Sequence, residues 1–280
     1  MRAVERVRRL TGTRRAGHAG TLDPAATGVL PVCLGSATRI VTFLLDGDKE
    51  YLATVTLGQE TDTCDLDGRV VREAQVPPLE HTEVEAALAG FRGTIVQRPP
   101  AFSAIRRGGE RLYERARRGE DAVAPEREVV VHELELLAFT RPSLEIRVRC
   151  GKGTYVRSLA ADLGRALGCG GCLASLRRTR VGALALDLAV TLDELADRAR
   201  DDRVEEVLIT PSEALAHIPA LRLAARDVDR VRQGQRLAAA QLEEQRPPPD
   251  GTVRLLDADG RLVALAELRD GRVQPRTVLA

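Results

Sequence analysis

Hydrophobic and polar positions along the chain switch between a helical and a strand period, and the switches divide it into elements. Met1 to Leu10 places Val4, Val7 and Leu10 on one side with arginines around the rest. That pattern predicts a short amphipathic helix stopped at Gly12. From His18 to Gly35 the period dissolves into Gly, Pro, Thr and other small residues, predicting a structured loop with room for one helical turn. Tyr51 to Leu57 turns to period two, with Tyr51, Ala53, Val55 and Leu57 on one face of a predicted strand. Asp67-Gly68 suits a hairpin turn before Arg69-Val70-Val71. Thr82 and Glu85 make a capping-box pattern, and Val84, Ala87, Leu88 and Phe91 follow at helical spacing.

Pro99-Pro100 breaks any regular element. Beyond it the spacing predicts a short helix over Glu110 to Arg118. Two strands, Val129 to Phe139 and Leu144 to Cys150, turn at Arg141-Pro142-Ser143. Helical spacing returns from Tyr155 to Leu167, ended by Gly168, and again over Leu192 to Val207. The charged run Asp201-Asp202-Arg203, then Thr210-Pro211, marks a boundary. After it come a helix near Ala225 to Arg232, a turn at Pro247-Pro248-Pro249 and short strands. The predicted fold class is α+β: a mixed or antiparallel sheet with helices over residues 1–208, then a small β-rich module over 209–280.

Composition changes this picture in three places. The net charge is only +1, so bulk charge announces no polyanionic partner. All basic residues but Lys49 and Lys152 are arginine, which a GC-rich genome accounts for in the main. Their placement says more: the first fifteen residues hold six Arg against Glu5, a local basic face suited to a phosphate backbone. Five cysteines without a secretory signal, and no apolar run of membrane-spanning length, predict a cytoplasmic protein with free thiols.

Candidate chemistry centres on the run from Gly17 to Pro31. Asp23-Pro24 reads at first as a helix cap followed by a first-turn proline. Gly28 and Pro31 leave no room for that helix, so Asp23 becomes a short carboxylate on a rigid loop, a reasonable nucleophile or base. Arg157, one turn into its helix, can reach a nearby carboxylate, although an ordinary surface ion pair fits the same spacing. Tyr51 opens its strand and, with only three Tyr and four Phe in the chain, stands out as a stacking surface or as a half-buried sheet residue.

Other chemistries fit poorly. Cys150 to Arg157 lacks the spacing of a phosphate-binding loop. Cys169-Gly-Gly-Cys172 stands alone, and His81, His132 and His217 are scattered, which argues against zinc. Thr63 to Gly68 resembles part of a calcium loop but would end on Ala74, without the closing carboxylate.

Taken together, the motifs resemble the TruB family of tRNA pseudouridine synthases. The resemblance is carried by Gly17-His18-Ala19-Gly20-Thr21-Leu22-Asp23-Pro24 with Thr27-Gly28-Val29-Leu30-Pro31, and by Asp48-Lys49-Glu50-Tyr51 and Leu57 to Thr63. Gln97 to Ala104, Gly153-Thr154-Tyr155-Val156-Arg157 and Leu176-Arg177-Arg178 continue it in order. The segments Ile218 to Leu221, Gly234-Gln235 and Gly271 to Arg276 are similar, more weakly, to the family's PUA-type RNA-binding module.

The resemblance implies an isomerase that acts on uridine 55 in the T-arm stem-loop of tRNA as a monomer, with no cofactor and no metal. It makes Asp23 the attacking aspartate, Tyr51 the tyrosine that stacks on the flipped uracil, and Arg157 the partner of the aspartate. His18 would fill the space left in the RNA loop, while Tyr155 and Leu176 would line the pocket. Family members usually begin with a strand and a Lys-Pro-x-Gly loop. Here Met1 already falls in the first helix and no Lys-Pro occurs, implying either a missing strand or a start further upstream. Two competing expectations are a non-catalytic RNA-binding or RNA-folding protein on the same scaffold, and a guide-dependent synthase of the dyskerin type. The intact region from Gly58 to Arg118 speaks against the latter.

Overall fold

The computed structural model describes residues 2–103, 106–118, 120, 123–238, 242 and 248–279. Met1, Ala104 and Pro247, which figure in the sequence patterns, lie outside them. The chain divides into two compact units, one of residues 1–21, 30–46 and 181–280, the other of 22–29 and 47–180.

The second unit is built on a sheet in which Gly171–Val181, Lys49–Leu57, Ser143–Cys150, Arg127–Thr140 and Gly93–Gln97 lie side by side in that order. The last four run antiparallel to one another, each to the next. Thr27–Gly28 adds a short parallel pairing to Arg177 and Arg178. Period two explains why these strands have one apolar face. Ala53, Val55 and Leu57, Leu144, Ile146 and Val148, and Val131, Leu134 and Leu136 all point into one core. The helices His81–Ala89 and Val156–Ala166 cover that face with Val84, Leu88, Val156, Leu159 and Leu163. Gly164 is required where it stands, because a β-carbon there would strike the backbone of Gly170 and Gly171. The helix therefore rests directly on the chain that enters the strand Gly171–Val181.

The other unit contains the helix Arg2–Leu10, whose Arg6 pairs with Asp193 at 2.5 Å on the helix Leu192–Arg200. It also contains the antiparallel pair Ala16–His18 and Val32–Leu34. Its largest part is a five-stranded sheet in the order Ala220–Arg222, Gly251–Leu256, Leu262–Arg269, Arg272–Val278 and Leu237–Ala238. Leu221, Leu255, Ala264 and Val273 pack there against Val231 of the helix Ala225–Arg232. The mixed α+β architecture expected from the pattern is thus observed.

Three local expectations need correction. The capping box of the helix His81–Ala89 is formed by Glu80 and Glu83, not Thr82 and Glu85. The helix from Leu192 ends at Arg200 and gives way, after Asp202 takes a positive φ of 58°, to a 3-10 turn at Val204–Val207. The segment from His18 to Gly35 holds three short strands and no helical turn. All five cysteines are free. No helix among the described residues is long and apolar enough to cross a membrane.

Candidate active site

The expected trio of Asp23, Tyr51 and Arg157 converges within one unit. Asp23 precedes a turn in which the Ala26 N–H donates to the Asp23 carbonyl at 2.9 Å, so Asp23-Pro24 starts no helix. Its side chain keeps about a third of its surface open, a relative exposure of 34%. Arg157 is 5% exposed, which removes the reading of an ordinary surface ion pair. Its guanidinium grips the carboxylate in a fork, Nε to Oδ2 at 2.8 Å and Nη2 to Oδ1 at 3.1 Å. The remaining donors meet the Thr63 and Phe102 carbonyls, each at 3.1 Å. Asp65 Oδ2 stands 3.4 Å from Nη1. One buried cation therefore serves two carboxylates.

Asp65 is the member that the sequence reading missed. It lies in the run set aside as an imperfect calcium loop. There its carboxylate accepts the Thr63 hydroxyl at 2.5 Å and the Asp67 N–H at 3.2 Å. A backbone bridge joins it to Leu173. A carboxylate held by two hydrogen bonds on Oδ1 turns Oδ2 to the arginine that holds Asp23.

Tyr51 sits in the strand Lys49–Leu57 beside the core. Burial pushes its phenol up to about 12, and the negative charge that Cys150 carries once ionised adds to the rise. The Arg178 guanidinium opposes it by its charge and by donating a hydrogen bond, while Asp23 raises it slightly. At neutral pH Tyr51 is an uncharged phenol. Tyr155 directs the start of the helix that carries Arg157. The buried Gln97 clamps it, accepting from the Tyr155 N–H at 2.7 Å and donating to its carbonyl at 3.0 Å. Arg127 lies over its ring at 5.1 Å and also bonds the Gly153 carbonyl. Leu176 packs half-buried against the core from the strand Gly171–Val181. His18 belongs to the other unit, on the strand Ala16–His18, with Nδ1 buried and unpartnered. Among the described residues, no three His, Cys, Asp or Glu side chains are grouped to hold a metal ion.

Residues 8–156 match the model of the TruB family pseudouridylate synthase N-terminal domain. This chain belongs to the TruB family. Further along the TruB chain, residues 157–221 match the tRNA pseudouridylate synthase B C-terminal domain, and 219–279 match the C-terminal domain of pseudouridine synthase II TruB. It is 42% identical to tRNA pseudouridine synthase B of Francisella philomiragia, over 97% of this chain and 88% of that one. The synthase B of Chromohalobacter salexigens is 43% identical over 99% and 89% of the two chains, and that of Synechococcus sp. 44% over 98% and 91%. Among solved structures, a Cbf5–Nop10–Gar1 complex superposes with a TM-score of 0.79 at 26% identity, covering 99% of this chain and 80% of its own. An H/ACA ribonucleoprotein bound to a substrate RNA containing 2′-deoxyuridine gives 0.78 at 25% identity, over 100% and 80%. The TruB-family chain is accordingly an enzyme of the pseudouridine synthase class.

Proposed function

We propose that this enzyme converts uridine 55 in the T-loop of tRNA to pseudouridine, with Asp23 as nucleophile. The observation that carries the reading is the forked bond from buried Arg157 to a carboxylate that stays a third open, beside Tyr51. Near full-length similarity to tRNA pseudouridine synthases B supplies the substrate class.

A uridine stacked in an RNA loop is out of reach, so it is first extruded at a cost of a few kcal/mol. Tyr51, entering as a neutral phenol, stacks on the freed uracil, which offsets about 1–3 kcal/mol. Asp23 attacks the nucleotide while the glycosidic bond breaks. The uracil turns and rejoins the ribose through carbon 5. The carbon-5 proton then leaves, with help that we assign to Tyr51. The bond from Asp23 breaks as carbon 5 joins the ribose, which frees the carboxylate; the carbon-5 proton passes to solvent and the released ring nitrogen takes one up, so the isomerisation balances without an oxidant or a second substrate. Arg157 fixes where the carboxylate points. Tyr155 and Leu176 line the pocket, His18 fills the space vacated in the RNA loop, and residues 209–280 form a PUA-like module that grips the tRNA.

The test is a T-arm stem-loop RNA without any guide strand. The unaltered enzyme forms pseudouridine at position 55 alone. Asp23→Asn forms none while binding the RNA nearly as well. Normal turnover by Asp23→Asn overturns the role of the aspartate. A requirement for guide RNA would transfer the chain to the guide-dependent type.

A further inference from the structure

Arginine is rarely fully buried, yet Arg178 is only 2% exposed in the strand Gly171–Val181. A guanidinium in that position needs its donors matched. Its Nε donates to the Val29 carbonyl at 2.8 Å, and its own carbonyl accepts the Val29 N–H at 2.8 Å. Its side chain also donates to the Tyr51 hydroxyl from the neighbouring strand. Just before Val29, Gly28 has a φ of +99°, and a β-carbon there would run into the Arg178 carbonyl and sit 2.9 Å from its nitrogen. Backbone and side chain of one residue thus hold both the segment that carries Asp23 and the tyrosine opposite.

We propose that Arg178 is a positioning residue, which locks the Tyr51 ring and the Asp23 segment in one register so that both meet the same uridine. The proposal rests on the roles given above to Asp23 and Tyr51. Arg178 acts through the Tyr51 hydroxyl and the Val29 carbonyl. A planar fork reaches both at once, whereas a lysine ammonium is a point charge on a flexible stem. Losing the fork lets the two reacting partners drift, and a misplacement of about 1 Å costs about 100-fold in rate. The surfaces that grip RNA elsewhere are untouched, so KM holds while kcat falls.

The experiment uses the full chain labelled with 3-fluorotyrosine. With three tyrosines, Tyr51 is assigned by the fluorine resonance missing from Tyr51→Phe. Arg178→Lys, and Arg178→Gln should the lysine variant not fold, are compared with the unaltered chain by fluorine NMR and by turnover of the stem-loop RNA. We expect the Tyr51 resonance to move while those of Tyr113 and Tyr155 stay. The kcat falls about ten- to a hundredfold with KM nearly unchanged, and this loss shrinks in a Tyr51→Phe background. A stationary Tyr51 resonance, joint movement of all three, or a loss undiminished by Tyr51→Phe overturns the proposal. The NMR readout needs no turnover, so a failed Asp23 assignment leaves it independently decidable.

Discussion

Replacing Arg157 with lysine isolates the geometry of the pair from its charge. The unaltered side chain makes two charge-assisted bonds to Asp23 and one to each of two backbone carbonyls, from a position only 5% exposed. Lysine keeps the cation but has no planar fork, so it gives up at least one bond to the carboxylate. A hydrogen bond to a charged group contributes about 1.5–3 kcal/mol. Asp23 is a third open to water, which argues for the lower part of that range. At about 1.4 kcal/mol per factor of ten, kcat should fall roughly ten- to thirtyfold. The assay is single-turnover pseudouridine formation on the stem-loop RNA at saturating enzyme, with a thermal melt to confirm folding. A folded lysine variant within twofold of the unaltered rate would refute the claim that the fork, beyond the charge, orients the carboxylate.

Tyr51 supplies a test in pH. Its phenol is raised from the ordinary 10 to about 12, so the native state holds that proton more tightly than the unfolded chain. The resulting stability is fully present below pH 10 and is lost as pH rises through about 12. The melting temperature of the unaltered chain should therefore fall faster than that of Tyr51→Phe above pH 10, and parallel curves would contradict the burial argument. Gly28→Ala forces a side chain to a φ of +99° against the Arg178 backbone. It should lower stability by more than about 1 kcal/mol in chemical denaturation and depress kcat along with it; unchanged values would mean that the close approach is dispensable.

How much was legible depended on whether a residue's role was local. The strand at Tyr51 and the helix at Arg157 were readable because each buries one face, and Ala53, Val55, Leu159 and Leu163 impose the period. Asp23 could be separated from a helix cap because Gly28 and Pro31 follow so soon. Asp65 was not legible, since its partner Arg157 is far along the chain and its neighbours imitate a cation loop. Arg178 was hidden by its type, because nothing local says that one of two adjacent arginines points inward. The cap at Glu80 escaped for a related reason: the pattern favours Ser or Thr, but a Glu side chain accepts the same backbone donor. The end of the helix at Arg200 depended on an aspartate adopting a left-handed conformation, which composition does not demand.

The contacts of Arg157 also bear on how the enzyme matures. Its partners Asp23, Thr63 and Phe102 lie 134, 94 and 55 residues away along the chain. Contacts so distant carry the full entropy of loop closure and form only as the strands between them find register. During synthesis, Asp23 leaves the ribosome long before the arginine that will orient it exists. The pair of Asp23 and Arg157 thus cannot form until more than half of the chain has been made, and a half-made chain presents Asp23 without the cation that would orient it.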